Sequence, residues 1–160
     1  EAALREAHRR RATDEALIAR LWRDMTPTDL DPLQRWIARG LAADMNRAAG
    51  HRNKQDSRRA TLWGGLTCRL GDFDIALERL QRARMLNEEG EPRLLAVDLA
   101  FLAMAHAGLE QRSEAERALE ELERLLEEQP TLRSPRLDQF HAEARAAVAA
   151  PAAEEPKLGK

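Results

Sequence analysis

The sequence of 160 residues has one cysteine, no tyrosine, three phenylalanines and three tryptophans. A single cysteine, Cys68, rules out an internal disulfide framework and suits a reducing compartment. No apolar run approaches the roughly 20 residues that a bilayer-spanning helix needs. No basic, then apolar, leader opens the chain, so a cytoplasmic location is expected. β-Branched residues are few, which leaves little material for strands. Glu1 stands first where a Met would begin a whole chain, and the expectation is a piece of a longer polypeptide.

The chemistry-bearing patterns are equally sparse. No glycine-rich phosphate loop is present, and the Gly64-Gly65 pair lies within a helical stretch. His8, His51, His106 and His141 are far apart, with no two on one helical turn, so no metal is expected. Cys68 lacks the surroundings of a nucleophile and reads as a small apolar filler. The carboxylates between Glu114 and Glu128 alternate with Arg117 and Arg124, as on a solvated helix face. These readings predict no catalytic residue and no cofactor.

What remains is mostly Ala, Leu, Arg and Glu, all strong helix formers. Apolar residues recur at helical spacing in seven segments. The first covers residues 2–24 and is one helix, or two if Thr13-Asp14 starts a new one. Asp31-Pro32 begins the second, which Gly50 ends. Further helices are expected at 57–70, 72–87, 93–109, 113–128 and 134–149. Gly71, Gly90 with Pro92, and Pro130 punctuate them, Ser113 with Glu116 offers a capping box, and Ser134-Pro135 gives a last cap. Residues 150–160 carry two prolines and no apolar stripe, so a disordered tail is expected. Short loops make successive helices antiparallel neighbours.

Two stretches repeat each other. Trp63-Gly64, Gly71, Ala76, Leu80 and Ala83 are followed by Leu102-Ala103, Ala115, Leu119 and Leu122. The spacing resembles the tetratricopeptide repeat, a helical hairpin of about 34 residues. Here Ala76 and Ala115 lie 39 residues apart, and the connection around Glu88–Pro92 is expected to take up the difference. Thr67 and His106 occupy a place where the family favours an aromatic. Glu110 stands where the family has Gly, which predicts a different turn there. Leu122 replaces a small residue, which points to a closing helix rather than a further repeat.

The resemblance implies an all-α fold of antiparallel hairpins stacked as a short α-solenoid of about seven helices. A single domain would cover residues 1–149, with a degenerate helical pair at 1–50, repeats at 57–90 and 92–128, and a capping helix at 134–149. Residues 57–149 also resemble a paired-repeat module of large bacterial multidomain signalling proteins. It implies a protein-interaction scaffold in which the first helix of each repeat lines a groove. The groove-facing places are Arg58, Thr61, Gly65, Cys68 and Arg69, then Val97, Ala100, Met104, Ala107 and Gly108. A peptide partner is expected against Arg58, Thr61, Arg69 and Met104, unless the chain's own first two helices fill the groove. The alternative is a regulatory domain that meets nucleic acid through Arg9-Arg10-Arg11, beside Arg5 and His8, although no aromatic side chain stands by to stack on bases.

Overall fold

The structure is a computed structural model that describes residues 39–40 and 54–151. Arg39 and Gly40 are helical. The expected helical pair at 1–50 otherwise lies outside the described residues, as do the Arg9–Arg11 run and the tail beyond Pro151.

From Lys54 to Pro151 the chain forms five helices, and no strand occurs among the described residues. They are α1 (Lys54–Arg69), α2 (Phe73–Asn87), α3 (Pro92–Gly108), α4 (Arg112–Glu128) and α5 (Pro135–Ala149), with a single 3-10 turn at Pro130–Leu132. The most extensive packing is α1 on α2 and α3 on α4, so each pair is a hairpin, and α2 joins the hairpins by packing on α3. No described helix is long and apolar enough to cross a membrane.

Small residues set how closely the helices approach. A Cβ added at Gly64 would lie 2.6 Å from Leu80 Cγ, so the absence of a side chain there is what seats α2 on α1. Ala76, Leu80 and Ala83 line the other side of this seam and are fully buried. Gly108 serves the contact between hairpins, because the ring of Phe73 occupies the space its side chain would take. Trp63, buried on α1, lies under the Arg79 guanidinium of α2, whose Cζ is 3.8 Å from the ring centre.

The two hairpin turns share one geometry, which corrects the expectation for Glu110. Gly71 N–H donates to Cys68 O, and Asp72 N–H to Thr67 O. In the second hairpin Glu110 N–H donates to Ala107 O, and Gln111 N–H to His106 O. Each bond of the first turn recurs 39 residues later. This is the paired C-cap in which the residue after the helix turns left-handed. Glu110 takes that conformation at φ 60° although it is not glycine, as Gly71 does at φ 81°.

The same turn overrides the capping box expected at Ser113 and Glu116. It delivers Gln111 as the N-cap, so α4 starts at Arg112 and Ser113 falls inside the first turn. Ser113 Oγ instead donates to Glu114, and Glu116 accepts from Arg112. Asp72 likewise precedes α2 without a side-chain capping bond, and its carboxylate lies 3.4 Å from the Arg39 guanidinium. At Ser134 the expected cap forms, with Oγ accepting from Leu137 N–H and Pro135 in the first turn.

α5 continues the 39-residue register. Phe140 follows Phe101 by that interval, and their rings meet at 4.9 Å between centroids, tilted by 56°. Asp98, Phe101 and Ala105 are buried on α3, and Leu137, Phe140 and Ala144 are buried at the matching places on α5. The outer side of α5 is different. Asp138, Gln139, Ala142 and Arg145 are exposed where α3 buries Leu99, Ala100 and Ala103 and leaves His106 half-buried. α5 is therefore placed like the first helix of another hairpin, with a polar back. It lies mainly on α3 and only lightly on α4.

Candidate functional site

The four expected partner-binding residues do not share one environment. Arg58 is exposed, Met104 is half-buried against the core, and Thr61 and Arg69 are inside the protein. They do not form one accessible surface. Among the other places on the expected groove, Gly65, Cys68 and Ala100 are buried, while Val97 and Ala107 are half-buried.

Arg69 is drawn inward by α5. Its side chain is only 4% exposed, with Nη1 2.7 Å from Glu143 Oε2. The guanidinium carbon sits 5.4 Å from the Phe101 ring centre and 5.5 Å from that of Phe140. A planar guanidinium is less strongly hydrated than an ammonium and stacks on aromatic faces, so Arg tolerates this setting better than Lys would. Nη2 is buried and makes no hydrogen bond among the described residues. The contact ties the first hairpin to the last helix. Its sequence signal was the spacing of Phe101 and Phe140, and family register alone assigned Arg69 to the open groove.

Thr61 belongs to a second buried polar group. Asn87 Nδ2 donates to Thr61 Oγ1 at 3.0 Å and to Asp98 Oδ2 at 2.6 Å, so α1, α2 and α3 are tied at one point. Burial pushes the Asp98 carboxyl up to about 7, against the lowering effect of its bonds to Asn87 and Thr61. Asn87 Oδ1 and Asp98 Oδ1 lack hydrogen bonds among the described residues. Turning the Asn87 amide over would let a protonated Asp98 donate to its carbonyl. One repeat later the matching residues are Ala100, Leu126 and Leu137, all buried and apolar. The polar trio is thus particular to the first junction, and the signal for it was the lone charge of Asp98 in the apolar run Leu94–Met104.

Cys68 is buried, and its Sγ lies 3.7 Å from Phe101 O. Burial pushes its thiol up to about 12, with Arg69 opposing and Glu143 adding to the rise. A thiol so far from ionising is a packing group, because the thiolate is the reactive form. His106 Nδ1 meets Gln111 Oε1 at 2.7 Å across the hairpin turn, and His141 Nε2 meets Glu123 at 3.1 Å. No group of three or more His, Cys, Asp or Glu that could hold a metal occurs among the described residues.

An open hollow of about 240 Å³ lies where α3 and α5 end and α4 begins, lined by Ala107, Gly108, Ala115, Ala147 and Val148. Glu110 and Arg112 also line it. Ala107 and Gly108 are two of the places expected on the groove. The lining joins small apolar side chains to one charge of each sign. No family model matches the chain, and neither does any curated protein or solved structure.

Proposed function

We propose that this chain is a non-catalytic protein-interaction module of tetratricopeptide type, belonging to a larger bacterial regulatory or signalling protein. The observation that carries the reading is the repeat of backbone geometry at 39 residues, turn bond for turn bond, with Phe101 and Phe140 in the same register. Stacked hairpins of this kind present rows of first helices as extended binding surfaces. The resemblance of residues 57–149 to a paired-repeat module supports the wider setting, and a lone buried thiol accords with a cytoplasm-facing one.

With Thr61 and Arg69 internal, the partner site moves along the groove to the hollow beside Ala107, Gly108 and Ala147. A partner segment would insert a small apolar side chain there and meet Glu110 and Arg112 in the lining. The test is Ala147→Trp, which fills the hollow from the half-buried end of α5. Affinity capture with the wild type and the variant, at equal helicity and thermal midpoint, should show partners lost by the variant. An unchanged set of partners would remove the hollow as the site.

A further inference from the structure

The outer face of α2 carries apolar side chains that the repeat does not call for. Ile75 is 49% exposed and Met85 is 76% exposed, with Leu86 at the edge of the same face at 36%. One repeat later these three places hold Glu114, Arg124 and Leu125. Glu78 and Arg82 lie between them and are exposed, and their counterparts on α4 are Arg117 and Glu121. Stacking of the hairpins therefore does not require Ile75 and Met85, since charged residues serve equally well at the matching places.

Ile75, Glu78, Arg82 and Met85 are spaced by three, four and three residues, the seam along which one helix packs against another. Read in order, the seam is apolar, acidic, basic, apolar. A parallel pairing of two copies would set Glu78 against the partner's Glu78 and Arg82 against the partner's Arg82. An antiparallel pairing sets Ile75 against the partner's Met85 and Glu78 against the partner's Arg82, twice over by symmetry. Among the described residues Glu78 has only a 3.6 Å contact with Arg79, which leaves the Glu78 side chain 72% exposed and is too weak to compete strongly.

We propose that the occupant of this face is a second copy of the chain, docked α2 to α2 in antiparallel fashion about a two-fold axis near Leu80. The contact is isologous, since the same patch serves both subunits. A single helix-on-helix seam buries less than the ~1,200 Å² of standard stable interfaces, so the dimer is weak and reversible. It is independent of the groove and of what the hollow holds.

Sedimentation equilibrium of the full chain between about 10 µM and 1 mM should show a reversible monomer–dimer equilibrium. Glu78→Arg sets two arginines against each other, and Arg82→Glu sets two glutamates against each other, so either alone should weaken association by about tenfold or more. An equimolar mixture of the two variants should restore association. In the mixed pair both seam positions of one chain are arginine and both of the other are glutamate, so opposite charges meet at each crossing. Ile75→Ser with Met85→Ser should abolish association. All four positions are exposed, and unchanged thermal midpoints will show that the monomer is intact. A chain that stays monomeric throughout the range, a dimer indifferent to both charge reversals, or a mixture no tighter than its components would overturn the proposal.

Discussion

Glu110 holds the left-handed backbone conformation, φ 60°, that Gly71 holds at φ 81° in the preceding hairpin. For an L-residue with a side chain this region costs roughly 1–2 kcal/mol, whereas glycine enters it freely. The two turns make the same pair of C-cap bonds, so the surrounding helices enforce the conformation at Glu110. Glu110→Gly should therefore stabilise the protein by about 0.5–1 kcal/mol, a little less than the strain because glycine also loosens the unfolded chain. Gly71→Ala should destabilise it by about 1–2 kcal/mol. Urea unfolding midpoints of the two variants should move in opposite directions, and movement in the same direction would refute the shared geometry.

Gly64 and Gly108 are both blocked from bearing a side chain, but by neighbours of different freedom. The obstacle at Gly64 is Leu80, fully buried between helices. At Gly108 it is the far end of the Phe73 ring, which is half-buried at the start of α2. Gly64→Ala should cost about 1–3 kcal/mol through overpacking, and Gly108→Ala noticeably less. Adding Leu80→Ala to Gly64→Ala should cost less than Leu80→Ala costs alone in the wild type, because the new methyl fills part of the cavity. Thermal unfolding of the four variants will check both orders.

Much of this fold was legible because helix ends and close contacts depend on a few residue types. Pro130 and Ser134-Pro135 act locally, and Gly64, Ala76 and Ala83 declare a close approach by their size alone. The turn at Glu110 was not legible, since nothing in a glutamate announces φ above zero and only the packed hairpin imposes it. Ser113 and Glu116 looked like a cap because their spacing was right, but the preceding turn fixed the helix start before their local preference could act. Arg69 departs from its register place for a related reason. Repeat register gives the direction of a Cα–Cβ bond, while the end of a long side chain goes where Phe101, Phe140 and Glu143 together hold a cation. The link from Asn87 to Thr61 and Asp98 joins three helices, and no window along the sequence contains it.

That link makes stability depend on pH. Asp98 titrates near 7 when folded, against an ordinary value of 3.8. Its folded-state value is raised, so the folded state binds the extra proton between these limits. The contribution of Asp98 to stability is full below about pH 4, declines as pH rises through 7, and levels off above it. Asp98→Asn keeps an acceptor for Asn87 and has no charge to bury. It should match the wild type near pH 4 and exceed it at pH 8 by on the order of 2–4 kcal/mol. Urea melts at the two pH values measure this, and a gain of equal size at both would show that Asp98 is not the titrating group.

The ion pair between Arg69 and Glu143 should respond unequally to loss of either partner. Arg69 is 4% exposed and Glu143 18%, so the carboxylate can turn toward water and the guanidinium cannot. Glu143→Leu leaves a cation between two rings with no counter-charge, at a cost of about 3 kcal/mol. Arg69→Met frees the carboxylate to reach solvent and loses chiefly the stacking on Phe101 and Phe140, about 1–2 kcal/mol. The double variant replaces a buried pair by apolar groups of similar size and should return to within about 1 kcal/mol of the wild type. A double-mutant cycle from urea unfolding gives the coupling between the two residues directly. Because the pair is screened from solvent, that coupling should persist in about 1 M salt, where an exposed pair loses most of its strength. Additive single effects, or a coupling that vanishes in salt, would place Glu143 and Arg69 apart in solution and detach α5 from the first hairpin.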